Sequence, residues 1–496
     1  MKKDAFYLHP FLKKNRFSFT DIALILILIL GIFVRVWQIE TKMIFFADAG
    51  RDMLAAVEMN RSGQIPLLGI PSSEPRFKQG PLFVWFEALV FKVGGPNPIV
   101  IGYLVAFLNS AVLLFCFVLL KKNVNITTAL ITTLLLATSP LAVAHSRMPY
   151  HITPIISCLL LYLWNIQRLI EKKPYAIFYT TLSFALLFQF ELALVPLFLL
   201  VPITIWKTKN YSKVMILESA AGLTIGLLPQ IIFDITNQFS QLGGFLVWLL
   251  RRLTSFFWIG KSHAFSLSQI SIAWNAFIHY FSRIFSLDHE VIGLFFLIVL
   301  GASCLLILKF AAKNLFLQEL SFGLILLLLA LFIHGSPSEA YFPPIILLSC
   351  IVIGAGVSFL NLQWKICMSC FFIAIASMNV VAIVKNNFYI LPNSSDFQYG
   401  TGYKEQVEVM KFVLSQSEEH PFQLRSTDPD AHFETYLDNF RVIGLSLPHK
   451  NIEESREDIP KKIFFINKHN SELINYPLAK ITFFTTVDVI EIPNNI

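Results

Sequence analysis

The sequence predicts an α-helical polytopic membrane protein with a small α/β domain at its C-terminal end. Three observations predict it. Of 496 residues, 55% are hydrophobic and only 14% are charged, against about 25% charged in soluble domains; mean hydropathy is +0.64. Apolar runs of spanning length recur along most of the chain. From Asn386 onward the composition changes: 10 Lys/Arg stand against 16 Asp/Glu, a balance of −6, whereas the rest of the chain carries +13. The expected division is therefore a membrane domain over residues 1–385 and an extracytoplasmic domain over 386–496.

The apolar runs begin near Ile22, Pro98, Asn125, Ile152, Pro174, Leu192, Val214, Val291, Leu317, Phe342 and Ile366, which predicts about eleven transmembrane helices. The first run, Ile22 to Ile39, reads as a retained span. Asp4 and the aromatics of MKKDAFYLHPFLKKNRF make a poor signal peptide, and no small-residue cleavage site follows. The pair around LLFQFELALVP has no clear polar break. The basic N-terminus, Lys121 and Lys122, Arg168 with Lys172 and Lys173, Lys207 with Lys209 and Lys213, Lys309 with Lys313, and Lys365 all fall on one side. That side is expected to be cytoplasmic. The other side receives Glu40 to Asn97, the HSRMPYH turn, QFE, the loop from Asp234 to about Glu290, HGSPSEAYFPP and, with an odd count, the tail.

In the tail, KKIFFIN and ITFFTTVDVIEI alternate like strands, and YKEQVEVMKFVLSQ repeats like a helix. The six cysteines all lie in apolar runs. Even the redox-like spacing of Cys367 and Cys370 falls inside an expected membrane helix, so they read as small buried residues rather than a disulfide framework.

The chemistry gathers on the outer side. In FFADAGRDMLAAVEMNRSG, Asp48 and Asp52 are four residues apart with Arg51 between them. On a helix they share a face, so two carboxylates and a guanidinium crowd one patch. The bland reading is that Asp48 is the N-cap of a helix from Ala49 to Asn60, with Arg51 and Asp52 a solvated face. Next, Glu74, Arg76 and Lys78 precede Gly80-Pro81 and an aromatic amphipathic stretch with Phe83, Trp85, Phe86 and Phe91. Aromatic and basic residues together mark a membrane interface, so this loop is expected to hold two surface-lying helices joined by a charged turn.

His145, Arg147, Tyr150 and His151 then sit at an outer helix end. Arg147 could fork onto a phosphate or snorkel to lipid headgroups. The two histidines, with no acidic partner nearby in sequence, make a weak metal signal. Gln189 and Glu191 lie in the middle of apolar sequence, and His334, Glu339 and Tyr341 precede a Pro-Pro helix start. Such residues line a site or occupy a tight hairpin, because ionisable groups at membrane depth are costly. There is no Walker motif, HExxH or nucleophile elbow, so nucleotide hydrolysis is not expected to drive this chain.

The ordered set of Arg35 in RVWQI, Asp48 in FFADAGRD, GPLFVWFEALVFKVGG, HSRMPYH, QFELALVP and SEAYFPPI resembles the GT-C membrane glycosyltransferases that use polyprenyl-phosphate sugars. The similarity is to bacterial relatives of protein O-mannosyltransferases and of the aminoarabinose transferase, over roughly the first 385 residues. It implies a GT-C-like fold in a bacterial plasma membrane with its active site outside the cytoplasm. The donor is a polyprenyl-phosphate sugar and the acceptor a lipid, glycan or protein; no nucleic-acid partner is expected. The resemblance makes Asp48 the catalytic base. Many members have Asp-Glu where this chain has DAGRD, which leaves Asp52 as a second catalytic candidate without a sure role and leaves dependence on a divalent metal open. Arg51, Lys78 and Arg147 would hold the phosphate, with Glu191, Glu339 and Tyr341 lining the substrate site. The competing readings are a lipid or glycan transporter, with Glu191 and Glu339 as intramembrane coupling groups, and a non-catalytic scaffold. The acidic tail is expected to modulate acceptor choice without an essential catalytic group, and Asp428, Asp430 and Glu434 are its residues to probe.

Overall fold

The computed structural model describes residues 18–72, 77–211, 213–257, 267–287, 290–334, 338–385, 402–417, 420, 422–426, 431–447, 462–468 and 480–493. Glu74, Arg76, Asp428 and Asp430 lie outside these residues, as does the side chain of Glu434.

The chain opens with α1 (Phe19–Val36), the one-turn α2 (Ile39–Lys42), α3 (Ala47–Ser62) and α4 (Leu82–Gly94). Ser18 starts α1 through a reciprocal capping box with Asp21. The helix exposes Ile22, Ile25, Leu26 and Ile29, a face suited to lipid because its backbone groups are satisfied internally. The two helices expected between the first spans are α3 and α4. Next come α5 (Pro98–Asn123), α6 (Ile126–Thr138), α7 (Pro140–His145), α8 (Ile155–Ile170) and α9 (Ala176–Phe190). Asn97 and Asn125 cap α5 and α6 with their side chains. After α9, Leu192–Leu199 is a 3₁₀ helix with Pro196 inside it. Proline removes a helical donor, which fits this looser segment.

The central part holds α10 (Leu200–Thr208), α11 (Met215–Gly226), α12 (Leu228–Thr236), α13 (Leu242–Phe257), α14 (Leu267–Phe285), α15 (Glu290–Phe310) and α16 (Leu315–His334). A 3₁₀ turn, Glu339–Tyr341, leads into α17 (Phe342–Ser358), followed by α18 (Leu362–Lys385). Pro343 and Pro344 fall in the first turn of α17, where a missing N–H costs nothing. This helix is the spine of the bundle: the span Glu339–Ser358 is 94% buried. Gly354 lets it approach α6 so closely that a Cβ would lie 2.6 Å from the Thr132 hydroxyl.

A helix begins within about four residues of every apolar run read as a span. Among the described residues, six helices are long and apolar enough to cross a membrane, or seven if α11 and α12, bent by 79°, form one span; five further apolar helices are shorter. The protein is an integral membrane protein with multiple spans.

The tail comprises α19 (Tyr403–Gln416), β1 (Phe422–Arg425), α20 (Ala431–Ser446), β2 (Lys462–Lys468), β3 (Lys480–Phe483) and β4 (Val487–Pro493). The sheet order is β1-β2-β4-β3, with β1 parallel to β2 and the other pairs antiparallel. A parallel neighbour needs a crossover, and α20 supplies it. One face of the sheet does not close on the tail alone. Val409, Met410, Phe440, Ile443 and Phe464 share a buried cluster with Met43, Phe45, Ala49, Met53 and Ala56 of the first loop.

Candidate active site

The chain reaches α3 through buried Met43, Ile44 and Phe45. The N-cap of α3 is Phe46, which makes no side-chain cap. The reading of Asp48 as the N-cap of a helix from Ala49 is thereby corrected: Asp48 lies in the first turn, where the helix dipole favours an anion. Its Oδ1 accepts from Arg51 Nη2 at 2.5 Å and its Oδ2 from the Tyr150 hydroxyl at 3.1 Å. Both partners of the ion pair remain open, with Asp48 35% and Arg51 29% exposed in their side chains.

Asp52 was expected on the same open patch, but it is 1% exposed. Its Oδ2 faces His151 Nδ1 at 3.5 Å, too long for a good hydrogen bond. Burial raises its carboxyl above the usual carboxylate range, and the His151 contact opposes this. Beside it lies Glu87 of α4, wholly buried, with neither oxygen hydrogen-bonded among the described residues. Burial first, and the Asp52 charge second, push its carboxyl well up. Two such carboxyls are easier to bury protonated than ionised. Sequence reasoning passed over Glu87; the signal was a lone carboxylate in the aromatic run LFVWFEALVF.

The HSRMPYH turn feeds this site. Tyr150 packs edge-on against Phe46, with centroids 4.7 Å apart. Burial, and then the charges of Asp48, Asp52 and Glu191, hold its phenol well above its ordinary value, so it stays a hydrogen-bond donor. The two histidines meet carboxylates from elsewhere: His151 meets Asp52, and His145 Nε2 lies 2.8 Å from Glu339 Oε1. Among the described residues, no group of three or more His, Cys, Asp or Glu is placed to hold a metal ion.

Arg147, expected to hold phosphate, is 1% exposed. Its guanidinium donates to the carbonyls of Val34 and Arg35. These belong to the last turn of α1, where helix carbonyls lack an intrahelical partner. Burial pulls it down to about 10, which still leaves it charged at neutral pH. Arg35 does similar work, donating to Gly31, Leu136 and Ala137 carbonyls.

Two separated stretches, KQGP and QFE, are knitted together. The Gly80 amide donates to the Gln189 carbonyl at 2.8 Å. A Cβ at Gly80 would overlap the Gln189 side chain, which explains the glycine. Lys78 has an exposed side chain, and its amide donates to Gln241 Oε1 at 2.9 Å. Asp234 caps α13 by accepting from the Gln241 and Leu242 amides. Behind this wall lies a cavity of about 170 Å³ lined by Phe77, Phe245, Trp248, Leu331 and Ile345, with Glu191 and Tyr341 as polar lining. Glu191 does two jobs, since it also caps the 3₁₀ helix through the Ala193 amide. Glu339 is buried against His145.

Residues 78–233 match the family model described as dolichyl-phosphate-mannose-protein mannosyltransferase. No curated protein sequence matches the chain. Among solved structures it is similar to ArnT from Cupriavidus metallidurans in the apo state, at a TM-score of 0.55 and 11% identity over 95% of this chain and 97% of that one. The same protein bound to undecaprenyl phosphate gives 0.52 and 10% with the same coverages. The oligosaccharyltransferase of Archaeoglobus fulgidus gives 0.45 and 12%, covering 86% of this chain; this chain spans only 64% of the archaeal protein.

Proposed function

We propose, from the premise that this chain is a GT-C-type membrane glycosyltransferase working on a polyprenyl-phosphate sugar, that Asp48 is the base for sugar transfer and that the reaction inverts the anomeric centre. The observation that carries this reading is a contrast in access. Asp48 is open and held by two donors, whereas Asp52 and Glu87 are buried.

The acceptor hydroxyl attacks the anomeric carbon while its proton passes to the Asp48 carboxylate. The bond from that carbon to the phosphate oxygen breaks, and the polyprenyl phosphate leaves with the electron pair. A single displacement of this kind inverts the carbon. Arg51 and Tyr150 each donate to one oxygen of the Asp48 carboxylate and hold it in place. Arg51 and the exposed Lys78 bring positive charge to the leaving phosphate. Asp52 supports the site from beneath, and Arg147 fixes the turn that carries Tyr150 and His151. The apolar cavity takes a stretch of the prenyl chain, with Tyr341 and Glu191 orienting the headgroup and Glu339 holding His145. ArnT, the relative in fold, is bound to undecaprenyl phosphate, which supports this occupant. The acceptor is a lipid, glycan or protein hydroxyl on the side opposite the basic loops.

Purified protein should transfer a radiolabelled sugar from its polyprenyl phosphate to an acceptor fraction. The product's anomeric configuration, read by NMR, should be opposite to the donor's. Retained configuration, or transfer only from a nucleotide sugar, would overturn the proposal.

A further inference from the structure

We infer that the C-terminal domain sets the position of Asp48, with Gln406 and Asn439 as positioning residues for sugar transfer. The inference rests on the reading of Asp48 as the base. The start of α3 has no side-chain cap of its own. Instead, the carbonyl of Phe45, three residues before Asp48, accepts from Gln406 Nε2 at 2.7 Å and from Asn439 Nδ2 at 2.9 Å. Both carboxamide residues are fully buried, so water cannot replace either donor. One comes from α19 and the other from α20, and together they fill both lone pairs of that oxygen.

Two further features fix the same segment. Gly50 lies directly on α20: a Cβ there would stand 2.2 Å from Asn439 Oδ1 and 2.6 Å from its backbone nitrogen. On the other side, buried Lys42 donates to the carbonyls of Ile383 and Val384 at 2.9 and 2.6 Å. These carbonyls end α18, the last membrane helix before the tail. Residues 42–50 are thus held at three points, two of them by the tail. A catalytic group displaced by about 1 Å can lose roughly 100-fold in rate. The domain therefore contributes to catalysis without touching substrate.

The test uses the full-length protein in nanodiscs with a radiolabelled polyprenyl-phosphate sugar. Asn439→Leu and Gln406→Met should each lower kcat about 10- to 100-fold and leave the donor KM within about twofold. In the Asp48→Asn background the same changes should add less than about twofold to the loss, because the group they position is gone. An unchanged kcat, or an equal loss in both backgrounds, would overturn the inference. If either carboxamide variant fails to fold, Gly50→Ala carries the same test, since it keeps both donors and pushes α3 off α20. Hydrogen exchange separates the two failures. The amides of Ala49 and Gly50 donate to the Phe46 carbonyl and should exchange at least about tenfold faster in Asn439→Leu, a rise in the local opening equilibrium. Unchanged exchange sinks the clamp alone, whereas normal turnover by Asp48→Asn sinks the base reading alone.

Discussion

Asp48→Asn tests the proposed proton acceptance at a small structural cost. Asn has the same shape and can still accept a hydrogen bond from Tyr150. Because Phe46 is the N-cap, no capping interaction is lost. What is lost structurally is the charge pairing with Arg51, an open pair worth about 0–1 kcal/mol. The first-turn dipole interaction adds about 0.3–1 kcal/mol. Stability should therefore fall by no more than about 2 kcal/mol, and the protein should purify normally. Loss of a general base costs roughly two to four orders of magnitude in turnover, or about 3–5 kcal/mol of barrier. Donor binding should persist, since Arg51 and Lys78 remain. Initial rates of transfer from a radiolabelled donor, beside equilibrium binding of the same donor, separate the two effects. Near-normal turnover with unchanged binding would refute the assignment and leave Asp52 to be tested in its place.

Three further predictions follow from the same geometry. Tyr150→Phe removes one of the two donors that hold the Asp48 carboxylate, so turnover should fall about tenfold, as for a charge-assisted bond of about 1.5 kcal/mol, with the donor KM little changed; unchanged turnover would place Tyr150 outside the site. Burial raises the Glu87 carboxyl in the folded protein; the folded state then binds the extra proton, and stability is fullest below the ordinary Glu value of 4.5 and is lost as pH rises toward the raised one. Glu87→Gln should flatten that loss, which is at most about 1.4 kcal/mol per pH unit, in thermal melts from pH 4 to 9, and an unchanged slope would assign the pH dependence elsewhere. Ser415→Cys, on the exposed side of α19, tests the orientation expected from the basic loops: with the tail outside the cytoplasm it should react with a membrane-impermeant thiol reagent in intact cells, and labelling only after lysis would reverse that expectation.

The elements legible in the sequence were those whose signal is local. The helix read in YKEQVEVMKFVLSQ is α19, Tyr403–Gln416, because a 3.6-residue apolar period is written in consecutive residues. KKIFFIN became β2, and ITFFTTVDVIEI became the β3–β4 pair. The Pro-Pro start of α17 was legible for the same reason. By contrast, β1 and α20 carried too short or too weak a pattern to be read.

The sequence by itself determined that this chain crosses a membrane several times, where its apolar helices begin, and which connecting stretches hold charge. Length, apolarity and turn chemistry act over a few neighbouring residues, so no fold is needed to read them. Only the tertiary structure decided what each charge does. It opened Asp48 and buried Asp52, four residues away on the same helix. It turned Arg147 toward the carbonyls of α1, and it gave His145 a carboxylate 194 residues further along the chain. It also set Gln406 and Asn439 of the tail on the carbonyl of Phe45. Burial and pairing are properties of the space between elements, and a residue's neighbours in that space come from distant parts of the chain.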